Sequence, residues 1–162
     1  MIRWLAPLAG LAIAALIGFW LVLNAIPGFI MDRAMARIAS DGAPVNSVVH
    51  VAPTREDSRH VVRPSPDILY SICLFDVSER PLRISIPAAE EGLIASISFF
   101  DANTNNFMTL RPVSEARNVR LGDEIDAPTD QGIVLYRRIL TGGVSMEDAE
   151  TQRQAFACQP AG

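Results

Sequence analysis

The chain has 162 residues, with 14 basic against 18 acidic groups and a formal net charge of −4. Every basic residue is arginine, and only Arg3 precedes the first long apolar segment, so the remainder carries 13 basic groups against 18 acidic ones. That balance excludes a nucleic-acid partner, which needs a basic stripe to displace counterions, and the length suffices for one domain plus an anchor.

No charge occurs between Arg3 and Asp32. The gap is filled by Leu, Ala and Ile from about Trp4 to about Ile26. At ~1.5 Å per residue, ~20 such residues cross a ~30 Å hydrocarbon core, and lipid forces them into a helix because it offers backbone groups no partners. This predicts one transmembrane helix, span about 4–26, inside an anchor segment 1–44. Trp4 and Trp20 suit interfacial depths, and Pro7 falls in the first turn, where its missing N–H costs nothing. A cleaved signal peptide is the rival, with an apolar core of ~7–15 residues before a small-x-small site. Here the run is longer, and Leu23 stands where a small residue is needed. Charge leaves the orientation tied, with Arg3 on one side and Arg33 and Arg37 on the other.

After Pro27 and Gly28, Ile30, Met31, Ala34, Met35 and Ile38 recur at helical spacing. They predict a juxtamembrane helix packed on head groups or on its own domain, stopped by Gly42 and Pro44. From Val45 the pattern becomes β-like, with predicted strands over 47–51, 68–77, 82–86, 93–100, 107–113, 118–121 and 133–140. The 68–77 run is apolar on both faces for most of its length, as a central strand buried on two sides would be. A helix over 146–157 closes the chain, with Ser145 as N-cap and Asp148 three residues later. The fold class is therefore mainly β: an antiparallel β-sandwich or jelly-roll-like domain over 45–162, between an N-terminal transmembrane helix and a C-terminal helix.

No nucleophile elbow, P-loop, dinucleotide fingerprint, zinc-protease motif or C-x-x-C is present. His50 and His60 are the only histidines, and without a third ligand at a metal-site spacing they do not define a metal centre, so neither metal nor cofactor is expected. Two segments concentrate polar groups beside apolar strands, one running from Arg63 to Ser71 and one from Phe99 to Phe107. On one reading Arg63, Asp67, Tyr70, Asp101 and Asn103 line a shared ligand pocket. On the other they are turn residues bonding their own backbone, which Pro64 and Pro66 and the Asp/Asn cluster favour. Cys73 and Cys158 either pack as small apolar residues or form one bridge, as an exported domain permits.

The stretch RPSPDILYSICLFDVSERPLRISIP, followed by ISFFDANTNNF, resembles the bacterial domain of unknown function family 1254. The matching positions are Pro66, Asp67, Leu69, Tyr70, Ser71, Asp76, Pro81, Pro87, Asp101, Thr104, Asn105, Asn106 and Phe107. The resemblance covers roughly residues 45–158, and departs at Glu90–Leu93, where an aromatic is expected. It implies an exported β-sandwich-like domain, and so a periplasmic domain on a single-pass protein of the bacterial inner membrane. It implies no activity. Longer relatives join this domain to a second β domain, of unknown-function family 1214.

Three functions follow. The first is a non-catalytic assembly module that pairs with a second membrane-anchored β protein of the 1214 kind, because the 68–77 strand needs cover on both faces and the closing helix supplies little. The second is an envelope enzyme, and the third a ligand-binding module, both using the Asp67, Tyr70 and Asp101 cluster.

Overall fold

A computed structural model of the chain describes residues 5–54, 65–88, 94–140 and 144–161. Trp4, His60, Arg63, Pro64 and residues 90–93, each singled out by the sequence, lie outside the described residues.

One helix, α1 (Leu5–Ser40), replaces the expected span and separate juxtamembrane helix. It runs through Pro27, which forfeits one ladder bond, and it is long and apolar enough to cross a membrane. Its end is a complete Schellman motif. Gly42 takes φ +96°, the Gly42 N–H reaches the Ala39 carbonyl at 3.0 Å, and the Ala43 N–H reaches the Ile38 carbonyl at 3.3 Å. The helix's last third lies on the β domain, where Met31 is buried.

Eight strands follow: β1 (Ser47–His50), β2 (Ile68–Asp76), β3 (Leu82–Ile86), β4 (Ile94–Asp101), β5 (Asn106–Leu110), β6 (Arg117–Leu121), β7 (Gln131–Ile139) and, after helix α2 (Met146–Gln154), β8 (Ala157–Pro160). They form a five-stranded sheet in the order β1-β2-β7-β4-β5 and a three-stranded sheet in the order β6-β3-β8, with every strand pair antiparallel. The two sheets close on one core, in which Cys73, Phe75, Ile97, Phe99 and Val134 of the first meet Leu82, Ile84, Ile86, Leu121 and Cys158 of the second. Cys73 and Cys158 are joined as a disulfide with Cα atoms 6.3 Å apart, tying β2 to β8 across that core.

Two expectations are corrected. β2 is an interior strand, paired with β1 and β7, but β7 is the middle strand of the five and β2 buries one face fully while most of the other is half-buried. The closing helix ends at Gln154 rather than at 157, because Phe156 is drawn into the core, where it stacks on Tyr136 with centroids 4.9 Å apart. The next four residues then pair with β3 as an edge strand. A four-residue edge strand has no periodicity of its own and depends on its neighbour.

Pairing sets which side chains share a face. Toward the core, successive rows across β2, β7 and β4 are Leu69–Arg138–Ala95, Ser71–Tyr136–Ile97, Cys73–Val134–Phe99 and Phe75–Gly132–Asp101. The outer face alternates with them, from Ile68–Ile139–Ile94 at one end to Leu74–Ile133–Phe100 at the other. Only glycine fits at 132, since a Cβ there would collide with the Phe100 carbonyl and with the Phe75 ring at 2.6 Å.

Candidate functional site

The structure separates the residues expected to share a pocket. Asp67 is exposed in the turn before β2, its carbonyl accepting from the Leu140 N–H at 2.7 Å. Tyr70 lies on the outer face one row in from that end. Asp101 and Asn103 lie at the opposite end, in and beyond the Gly132 row. Five to eight residues along β7 separate the two groups, roughly 17–26 Å at ~3.3 Å per residue.

Asp101 is itself committed. Its Oδ1 accepts from the N–H groups of Asn103 and Asn105, each at 2.8 Å, and its Oδ2 accepts from Asn105 Nδ2 at 2.9 Å. Burial works to raise its pKa, but the bonds from Asn105 and Asn103 outweigh burial and hold the carboxylate below its ordinary range. The chain turns through Thr104 at φ +66°, and Ala102 N–H is fixed by Thr129 Oγ1 at 2.9 Å. The Asp-x-x-Thr-Asn-Asn-Phe motif is here the wiring of the β4–β5 turn.

A second polar cluster lies under α2. Ser145 caps the helix, accepting from the Asp148 N–H at 3.1 Å. Arg153 points from its last turn into the domain and donates to the carbonyls of Val51 and Tyr70 and to Glu150. Arg138 donates through Nε to Gln152 Oε1 at 3.0 Å. His50 Nδ1 stands 2.8 Å from Ser71 Oγ. The His50 pKa is lowered, first by burial and then by the Arg153 charge, with Glu150 opposing. Ser71, His50 and Glu150 have the letters of a nucleophilic triad, but Ser71 is 0% exposed, so its hydroxyl meets no substrate. The cluster clamps α2 to the sheet.

The open site is on the outer face, at the Ile68–Ile139–Ile94 end. A groove of about 510 Å³ is lined there by Ile68, Ile94, Ser96, Arg111, Arg137 and Ile139. Ile94 is 54% exposed and Ile139 38%. Arg137 donates through Nη2 to Ser98 Oγ at 2.9 Å, while its buried Nε has no partner among the described residues. Arg111 is exposed, with no ion pair among the described residues. Two guanidiniums beside three isoleucines can receive an apolar ridge carrying a carboxylate. None of these residues belongs to the expected cluster, although Arg137-Arg138 holds the signal: neighbours in a strand point to opposite faces, so one guanidinium enters the core and the other faces out. Among the described residues no three His, Cys, Asp or Glu side chains gather as metal ligands.

The sequence model of the family described as Protein of unknown function (DUF1254) matches residues 45–160. Among solved structures, the chain is similar to the VPA0106 protein from Vibrio parahaemolyticus, with a TM-score of 0.55 and 15% sequence identity over 85% of this chain and 36% of that one. At that identity the likeness is one of fold, and the chain spans little more than a third of the length of its neighbour. No curated protein matches.

Proposed function

We propose that this chain, which belongs to the DUF1254 family, is a membrane-anchored assembly module whose outer-face groove seats a second membrane-anchored β protein resembling the unknown-function family 1214. The observation that carries the reading is the Ile68–Ile139–Ile94 row, left uncovered among the described residues, beside Arg111 and Arg137. The inner face is filled by the second sheet, and α1 lies against the other end of the outer face, at Leu74 and Gln131. Among the described residues, Ile94 and Ile139 at this end of the sheet keep large apolar side chains in water, as an interface awaiting its partner has them. In a domain of net negative charge, two arginines in one groove select an acidic group on whatever enters. The Vibrio structure supports the reading, since the same fold makes up about a third of that longer chain. Confinement of both partners to one bilayer raises their effective concentration, so a modest interface suffices. The anchor is α1, in the bilayer of the bacterial inner membrane, and the domain faces the periplasm, where the Cys73–Cys158 bridge is stable.

The test is a photo-crosslinking amino acid placed at Ile94 in the full chain, in membranes of the host, with Gln159 on the far sheet as control. The expected result is a discrete adduct from Ile94 alone, containing an anchored β protein and lost in Ile139→Asp. Equal adducts from both positions, or none from Ile94, would refute it.

A further inference from the structure

The β domain first meets α1 inside the apolar part of the helix. Residues 6–30 carry no charge, and large side chains stay exposed as far as Phe29 (59%) and Ile30 (54%). That belt is roughly 37 Å long at ~1.5 Å per residue, against a hydrocarbon core of ~30 Å. Its last turn therefore stands where acyl chains give way to head groups. On its other side the same turn already touches protein. Pro27 and Gly28 are half-buried, and a Cβ built on Gly28 would lie 3.6 Å from Asn103 Oδ1 and 3.9 Å from the Ala102 carbonyl. One turn further on, Met31 is buried on the domain. The β4–β5 turn is thus level with residue 28, not beyond the end of the belt.

The chemistry of the turn matches that depth. Asn103, Thr104, Asn105 and Asn106 are exposed, and all are neutral amides or hydroxyls. The one charge of the turn, Asp101, is folded inward onto the N–H groups of Asn103 and Asn105. An outward carboxylate would be repelled by lipid phosphates, whereas amide and hydroxyl groups donate to phosphate and ester oxygens. Arg33 lies over the Phe29 ring, 5.0 Å from its centroid, beside the exposed Asp32, so the helix's first charged residues stand just above the same level.

We infer that the turn over residues 102–106 is a lipid-headgroup contact surface that holds the domain at a fixed height on the bilayer. The inference rests on reading α1 as a membrane span.

The test uses the full chain in nanodiscs of phosphatidylethanolamine and phosphatidylglycerol, with a nitroxide on Asn103→Cys, Val22→Cys or Gln159→Cys. Collision with a water-soluble nickel chelate and with oxygen reports the depth of each label. The Val22 label, in the span, should be shielded from nickel, and the Gln159 label should be open to it. The Asn103 label should be several-fold less accessible to nickel than the Gln159 label. Equal nickel access at Asn103 and Gln159, with Val22 shielded, would overturn the headgroup contact alone. Nickel access at Val22 would overturn the anchor and the inference together. In the labelled chain, Gly28→Ala should leave the depth unchanged, and Gly28→Phe should raise nickel access at Asn103. No change with Gly28→Phe would show that the helix contact does not set the height.

Discussion

The two ends of the five-stranded sheet are built from similar strands and finished differently. At the Phe75–Gly132–Asp101 end, the protein's own groups meet one another's needs. Asp101 is saturated by its turn, Asp76 accepts from the N–H and Oγ of Ser78 and from Gln131 Nε2, Asn46 bonds the Asp76 backbone in both directions, and α1 lies alongside. At the Ile68–Ile139–Ile94 end, isoleucines face water and a guanidinium nitrogen has no partner among the described residues. A finished end contributes to stability, while an open end holds back its interactions for something else. Substitutions at the two ends should therefore fail in different assays.

The largest effect is expected at Gly132. Gly132→Ala forces a methyl against the Phe100 carbonyl and the Phe75 ring and should cost more than about 3 kcal/mol in denaturant unfolding. A loss below about 1 kcal/mol would mean that the closed end yields easily, and the contrast would collapse. Replacing both Cys73 and Cys158 by alanine should lower stability by about 2–4 kcal/mol without altering either end, so it calibrates the scale. Asp101→Asn keeps the shape but weakens three charge-assisted bonds and should cost about 2 kcal/mol, read as a lower thermal midpoint at neutral pH.

Acid should probe the same end. The Asp101 and Asp76 carboxyls are held below their ordinary values. Their contribution is complete above the unfolded carboxylate pKa of about 3.9 and is lost as pH falls through the lowered folded values. His50 is also lowered, so its neutral form is favoured in the fold, and stability should already decline as pH drops below about 6.5. The two steps should separate in a pH series, and His50→Gln should remove only the upper one. The smallest effect on folding belongs to the open end. Ile94→Asp and Arg137→Gln should each change stability by less than about 0.5 kcal/mol while reducing the size of the native complex in gentle detergent. A large loss of stability from either would show that this end, too, is internally finished.

Much of the architecture was legible in residue order. The uncharged stretch between Arg3 and Asp32, the β-like runs over 82–86 and 133–140, and the Ser145 cap each announced an element, and the spacing of the strands with the family motifs in order pointed to the sandwich. What was not legible was where a strand lies among its neighbours. The polarity of Asp67 and Asp101 read alike, yet antiparallel pairing sends them to opposite ends. Local composition cannot report that, because β2 and β4 run parallel to each other only through β7, far along the chain. The helix through Pro27 was not legible because Pro27 and Gly28 together read as a stop, whereas the helix forfeits one ladder bond there and continues. The groove was missed because isoleucine in a strand reads as core, and only the second sheet's position shows which isoleucines stay out.

The disulfide has a further consequence, in the covalent map of the molecule. Cys73 and Cys158 are 85 residues apart, so most of the β domain is a closed ring joined to α1 by the segment before Cys73. A single protease cut anywhere inside that ring, including the exposed stretch at Ser114 and Glu115, opens it but releases nothing. The cut domain stays in one piece and stays on its helix until the bridge is reduced. Only cleavage between the end of α1 and Cys73 can shed the domain whole, and within that stretch residues 47–50 and 68–72 are held in β1 and β2.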